Sequence, residues 1–190
     1  MSEVGAAQLR GILLARHGET NDNLEPLRFQ GFADTPLNGT GRRQARELAQ
    51  RIAEHGIAGL WSSDLSRAAE TAAIVGERLG LEAVLDPRLR EGDRGRWEGH
   101  LMVDVQREEP ELYAAWRRAG PDFRFPGGES LLEQQTRVLA ALREIDRTGP
   151  LPALVVCHGG SIRVTLCARD PRGLRAFHEF ELPNVTVVAL

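Results

Sequence analysis

The stretch "ILLARHGETNDN" (residues 12–23) begins as apolar chain and turns at once into Arg16, His17, Gly18 and Glu19. A second stretch, "PALVVCHGG" (152–160), ends the same way, with an apolar run that stops at Cys157 and presents His158, Gly159 and Gly160. "GILLA" (11–15) and the run before His158 lack the polar alternation of a half-solvated strand, so both predict strands buried on two faces, as in a parallel sheet. Helical patterns lie between such runs. "NGTGRRQARELAQRIAEHG" (38–56) opens on polar caps and closes at Gly56, and "LSRAAETAAIVGERLG" (65–80) again ends at glycine. Ser130 and Glu133 have the spacing of a capping box before the amphipathic "LLEQQTRVLAALREID" (131–146). "IAGLWSS" (57–63) and "EAVLD" (82–86) read as further strands, and residues 101–119 as two short helices parted at Pro110. "SIRVTLCARD" (161–170) reads as a helix, and "AFHEFEL" (176–182) and "VTVVAL" (185–190) as late strands. Strands alternating with helices predict an α/β fold, a three-layer α/β/α sandwich around a mostly parallel sheet with one antiparallel edge strand.

Composition narrows the function classes. A chain of 190 residues, 42% hydrophobic, is long enough for one well-buried core and is expected to form one domain, 1–190. Its formal net charge of -3 gives no reason to expect a nucleic acid or an acidic membrane surface as partner. No apolar run approaches the roughly 18 residues of a spanning helix. The opening "MSEVGAAQLRG" lacks the pattern of a signal peptide, and Cys157 and Cys167 have neither metal-site spacing nor disulfide density, so a reducing cytoplasm is the expected location.

In open α/β sheets, ligands bind outside the carboxyl ends of the strands. Along this chain those ends carry Arg16-His17-Gly18, Ser62-Ser63-Asp64 leading to Arg67, Arg88 to Glu91, and His158-Gly159-Gly160. The two His-Gly pairs converge if their strands are neighbours. Glycine beside each histidine allows close backbone approach and leaves an N–H available. A metal would need further ligands, and no HxxxH or HxH pair is present. Phosphate suits the set better. Arg16 and Arg67 can grip phosphoryl oxygens, and their field keeps a nearby histidine neutral and nucleophilic. Such an imidazole can form a phosphohistidine while a carboxylic acid protonates the leaving oxygen. The residue set asks for phosphoryl transfer with no metal and no cofactor.

"LLARHGETNDN" also carries the R-H-G-E-T-x-x-N signature of the histidine phosphatase (phosphoglycerate mutase-like) superfamily, which this chain resembles from residue 12 to near its end. "QGFADTPLNGTGRRQA" (30–45), "WSSDLSRAAETA" (61–72), "LREGDRGRWEG" (89–99), "PGGES" (126–130) and "VVCHGGSIR" (155–163) resemble the family's other segments in the same order. The resemblance implies a phosphoglycerate mutase-like fold with His17 as phosphoryl acceptor. It implies that Arg16, Arg67 and His158 line the phosphate pocket, with His158 a hydrogen-bond donor, and that Glu91 is the acid and later the base. Gly18, Asn23, Gln30, Gly31 and Gly159 would lie at or near the phosphoryl group. Glu98 competes with Glu91 for the acid role but follows Trp97 in the family's structural W-E-G. Glu19 is expected to fix local geometry, and Glu129 to help start the helix at Ser130.

The expected activity is hydrolysis of a small phosphorylated metabolite, a phosphoester substrate being the only partner the residues ask for, with a homodimer as the assembly to look for. A mutase must keep its phosphohistidine from water. Cofactor-dependent phosphoglycerate mutases resemble this chain but carry an insertion and a C-terminal tail over the site, whereas this sequence stops at "VTVVAL". Phosphatase is therefore favoured over mutase, and a non-catalytic phospho-ligand-binding module is the remaining alternative. Residues 100–128 are expected to cap the pocket, with Trp116 and Arg124 as specificity residues or, alternatively, as part of a hairpin packed on the sheet. Gly92 and Arg94 depart from the family pattern, and Arg94 stands where an apolar residue is frequent; it is a candidate for recognising a second anionic group.

Overall fold

The computed structural model describes residues 11–190, so the opening "MSEVGAAQLR" lies outside the described residues. Strands β1 (Ile12–Arg16), β2 (Gly59–Ser62), β3 (Val84–Leu85), β4 (Ala153–Cys157) and β5 (Val187–Ala189) form one sheet in the order β3-β2-β4-β1-β5. Every pairing is parallel except β5 against β1, which supplies the antiparallel edge. The helices are α1 (Gly39–Ile52), α2 (Ser66–Leu79), α3 (Met102–Glu108), α4 (Pro110–Arg118), α5 (Leu131–Thr148) and α6 (Gly159–Cys167). None among the described residues is long and apolar enough to cross a membrane.

All five residues of β4 are buried because alternate side chains serve two different layers. Leu154 and Val156 join Ala15 and Leu60 in a cluster with Leu48 and Ile52 of α1 and Ala72 and Val75 of α2. Ala153, Val155 and Cys157 join Ile12 and Leu14 in the cluster of Val138 and Leu142 of α5 and Ile162 of α6. Both cysteines are buried and unpaired, and burial pushes each thiol up to about 12, so they act as small hydrophobes.

The predicted caps hold. Asn38 accepts from the Gly41 N–H at 2.8 Å to open α1, and Gly56 takes φ 62° beyond its end. Ser130 and Glu133 close a reciprocal box at α5, and α3 and α4 part before Pro110. One expected strand is overturned: "AFHEFEL" does not pair. Residues Gly173–Glu179 form a 3-10 helix that buries Leu174, Ala176 and Phe177 against α6 and its surroundings. The place beside β1 is taken by β5, and 176–182 instead turns its apolar residues onto the layer that contains α6.

The register Arg16↔Cys157 runs β1 and β4 out together, and the His17 N–H donates to the Cys157 carbonyl at 3.0 Å. His17 and His158 therefore leave the sheet side by side. The chain beyond His17 then packs backbone to backbone on the start of α1. A Cβ on Gly18 would sit 2.4 Å from the Gly41 carbonyl oxygen, and one on Gly41 would sit 2.1 Å from that of Glu19. Since neither backbone can yield cheaply, Gly18→Ala is expected to cost about 1–3 kcal/mol, the usual range for overpacking. Urea denaturation measures it, and an unchanged midpoint contradicts this packing.

Candidate active site

The His17 ring has Nδ1 2.7 Å from the Gly18 carbonyl oxygen. A carbonyl can only accept, so Nδ1 carries the proton and Nε2 keeps its lone pair. Burial, then the charges of Arg67 and Arg16, hold the imidazole well below its ordinary pKa, so it is neutral at physiological pH. Its main-chain oxygen accepts from Asn184 Nδ2 at 3.0 Å. His158, the residue before α6, lies with its ring 5.1 Å from that of His17. Its Nε2 is 2.8 Å from Ser63 Oγ, at the end of β2, and its buried Nδ1 has no partner.

The two arginines are fixed by carbonyls rather than carboxylates. Arg67, in the first turn of α2, is fully buried and donates to the Ala33 and Gly31 carbonyls, each at 2.8 Å. Arg16 donates to the Leu182 carbonyl at 2.5 Å. The Nε of each is buried and unpartnered. Burial lowers Arg16 to about 10 against the pull of Glu91, which still leaves it charged at neutral pH. Fixed cations without bound counter-charges, with unspent donors, form a receptor for an oxyanion.

Glu91 faces them. Its Oε1 accepts from the Gly92 N–H (2.8 Å), Gln134 (3.0 Å) and Arg94 (3.1 Å), and its Oε2 from the Gly160 N–H at 2.9 Å. Burial opposes ionisation, but Arg94, the Gly160 and Gly92 amides and Gln134 outweigh it and bring the carboxyl down to about 2. With three donors on Oε1 and one on Oε2, Oε2 is the oxygen with room for a proton or a further donor. Arg137 holds the segment in place, donating to the carbonyls of Arg88 (2.9 Å), Arg90 (2.8 Å) and Glu91 (2.7 Å) while paired with Glu129. Glu129 also accepts from the Asp93 N–H at 3.0 Å. It is thus the anchor of the Glu91 segment rather than a helix starter.

A cavity of about 370 Å³ joins these groups, lined by Arg16, His17, Arg67, Glu91, Arg94 and Gly159, and by Asn23, Gln30, Gly31 and Trp116. Asn23 accepts from the Thr20 N–H at 3.0 Å and Gln30 from the Thr20 hydroxyl at 3.2 Å. Three expectations change. His158 is fully buried and does not itself line the cavity, lying behind Gly159 with its ring against that of His17. Gly18 does not line the cavity, and its N–H is spent on Thr71 Oγ1 at 3.1 Å; its contribution is the carbonyl that orients His17. Arg124 is exposed, donates to Glu133 and the Gly128 carbonyl, and is not brought to the cavity. Glu98 straps the Phe32 and Arg94 amides, and Glu19 accepts from Asn38 at 2.9 Å, so neither is free for acid chemistry.

Arg117, from the 100–128 segment expected to cap the pocket, also lines the cavity, and so do Arg163, His178 and Asn184, which sequence reasoning did not single out. Gln134 left a signal: it is fully buried on the apolar stripe of α5 between Leu131 and Val138. Asn184 left none. Among the described residues no group of three or more His, Cys, Asp or Glu is arranged to hold a metal ion.

The model of the histidine phosphatase superfamily (branch 1) matches residues 12–190. This chain belongs to the histidine phosphatase superfamily. It is an enzyme of that superfamily, and its relatives carry both phosphatase and mutase names. A protein from Enterobacter sp. (strain 638) named "Probable phosphoglycerate mutase GpmB" is 42% identical over 154 residues, 78% of this chain and 69% of the relative. "Phosphoserine phosphatase 1" of Hydrogenobacter thermophilus is 33% identical over 177 residues, 92% of this chain and 83% of the relative. Among solved structures, a mycobacterial glucosyl-3-phosphoglycerate phosphatase in complex with VO3 superposes with a TM-score of 0.84 at 31% identity, covering 93% of this chain and 88% of that one.

The Arg137 clamp gives a test of this histidine phosphatase site. Lysine keeps the charge but cannot span three carbonyls and Glu129 at once. Arg137→Lys is expected to lower kcat by on the order of 10²-fold, the effect of misplacing a reacting group by about an ångström, with inhibition by inorganic phosphate little changed. Steady-state kinetics check this, and an unaltered kcat contradicts the positioning role.

Proposed function

We propose that this chain is a metal-independent phosphomonoester hydrolase that acts on a small phosphorylated metabolite through a phosphohistidine at His17. The observation that carries the reading is the His17 ring, its Nδ1 committed to the Gly18 carbonyl and its Nε2 free beside two arginines that lack carboxylate partners. The Nε2 lone pair forms the N–P bond as the P–O ester bond breaks. The ring gains positive charge in that step, and the Gly18 carbonyl stabilises it. Arg16, Arg67 and the N-terminus of α6 at Gly159 hold the phosphoryl oxygens. In this reading Ser63 Oγ, 2.8 Å from His158 Nε2, gives its proton to that nitrogen, and the unpartnered Nδ1 carries the His158 proton as a donor to the same oxygens.

The leaving oxygen takes a proton through Glu91. In the second step Glu91 takes a proton from water as the water oxygen attacks phosphorus, and the N–P electron pair returns to Nε2. Because the Glu91 carboxyl is held at about 2, the free enzyme carries it ionised, and the required proton arrives on the monoanionic ester. The second ionisation of a phosphomonoester lies near about 6, so kcat/KM for alkyl phosphates is expected to fall about tenfold per pH unit above that value. A kcat/KM constant from pH 6 to 8 contradicts this protonation scheme.

The names of the mutase relatives support a second reading, in which the phosphoryl group returns to an organic acceptor instead of water. One panel separates the readings. Phosphate release and isomer interconversion are followed for phosphoglycerates, sugar phosphates and nucleotides in excess EDTA, with wild type beside His17→Ala and Glu91→Gln. Hydrolysis should survive EDTA and vanish in His17→Ala. Glu91→Gln should lose about 10²–10⁴-fold on alkyl phosphates and much less on p-nitrophenyl phosphate, whose leaving group needs no proton. Activity retained by His17→Ala sinks the mechanism, and interconversion without phosphate release favours the mutase.

A further inference from the structure

Beside Glu91, which Arg94 touches at 3.1 Å, the cavity lining holds further positive charge. Arg94, Arg117 and Arg163 line it there, with Trp116, Phe177 and His178. Arg94 is 7% exposed, stacks 4.3 Å from the Phe125 ring centroid, gives one nitrogen to Glu91, and leaves a buried Nη1 without a partner. Among the described residues Arg163 is held only by the Phe180 carbonyl at 3.0 Å, and Arg117 lies 3.5 Å from the His178 ring nitrogen and reaches no carboxylate. Their charges, after burial, push His178 down to about 4, so the ring beside them is neutral and offsets none of the crowding. Trp116 Nε1 is a second buried donor without a partner. The space for Arg94 is built by a second departure from the family pattern. A Cβ on Gly92 would lie 2.8 Å from Arg94 Nη1 and 2.6 Å from Gln134 Oε1, so the glycine at 92 makes room for the guanidinium at 94.

We propose that Arg94, with Arg117 and Arg163, forms a second oxyanion subsite, and that the substrate is a doubly anionic phosphomonoester whose leaving alcohol carries a carboxylate or a second phosphate. This rests on the hydrolase reading for the order of groups along the cavity. Glu91 serves the ester oxygen and Arg94 touches Glu91, so the second anion lies on the leaving group a few bonds from that oxygen. Like charges crowded into a partly buried wall are unfavourable alone and favourable around an oxyanion, whose planar or tetrahedral oxygens a guanidinium fork can meet in pairs.

Three esters with comparable alkyl leaving groups isolate the subsite: glycerol 3-phosphate, 3-phosphoglycerate and glycerol 1,3-bisphosphate. Wild type should favour one of the two doubly anionic esters over glycerol 3-phosphate by about tenfold or more in kcat/KM, the worth of one charge-assisted hydrogen bond, and which one it favours identifies the anion. Arg94→Met and, separately, Arg117→Ala, at an exposed position tolerant of truncation, should bring that ratio towards one. An Arg94→Met variant that loses all three esters by the same factor overturns the proposal, since Arg94 would then act through Glu91 alone; so does a wild type without preference. Binding of the same three esters to His17→Ala, by calorimetry, reads the subsite without turnover. Equal affinities there overturn it too. A wild type that releases phosphate from no ester defeats the hydrolase reading instead, and the calorimetric ratio still decides the subsite.

Discussion

Everything at the site depends on β1 and β4 lying side by side, parallel and in register. The pairing of Arg16 with Cys157 means that the residues following each strand, His17 and His158, emerge together at one edge of the sheet. Their ring centroids are 5.1 Å apart although 141 positions separate them in the chain. The same pairing explains why both approaches are unbroken apolar runs, since a strand between two parallel neighbours, covered on both faces, has no solvated side to carry polar residues. Rigid strands hold the reacting groups, and the segments beyond them supply the rest.

The second constraint is electrostatic. Six arginines line a cavity that offers only Asp22 and Glu91 in return, and several of the guanidinium groups are tied to main-chain carbonyls. Carbonyl partners fix a guanidinium without neutralising it, so its charge remains for a ligand. Burial and that charge keep both histidines neutral, and Glu91 is drained of its proton by Arg94, two amides and Gln134 despite its burial. An oxyanion relieves all of these conditions at once.

Much of this was legible in residue order alone. The strand runs, the caps at Asn38 and Ser130, the break at Pro110 and the strand-end residues Arg16, His17, Arg67, Glu91 and His158 depend on local pattern, which a sequence displays directly. What was hidden depends on tertiary choice. "AFHEFEL" alternates like a strand, yet the edge it could have joined is held by β5. Arg124 sits among aromatics in a predicted cap, but Glu133 in the same capping box as Ser130 draws it outward. Gly18 suggested a free amide, and Thr71, 53 residues away, consumes it. Glu129 lies beside a helix start, but Arg137 from two turns into α5 claims it. The partnership of Gly92 with Arg94 became visible only when the missing Cβ could be measured against a guanidinium.

The central claim is that phosphorus passes through the Nε2 atom of His17, and direct isolation of the intermediate tests it. Enzyme mixed with a rapidly hydrolysed ester, quenched in base within milliseconds and digested for mass spectrometry, should carry one phosphoryl group on the peptide containing "ARHGE", stable to alkali and lost in acid. A burst of leaving group equal to the enzyme concentration with no phosphorylated His17, or with the label on another residue, would contradict it.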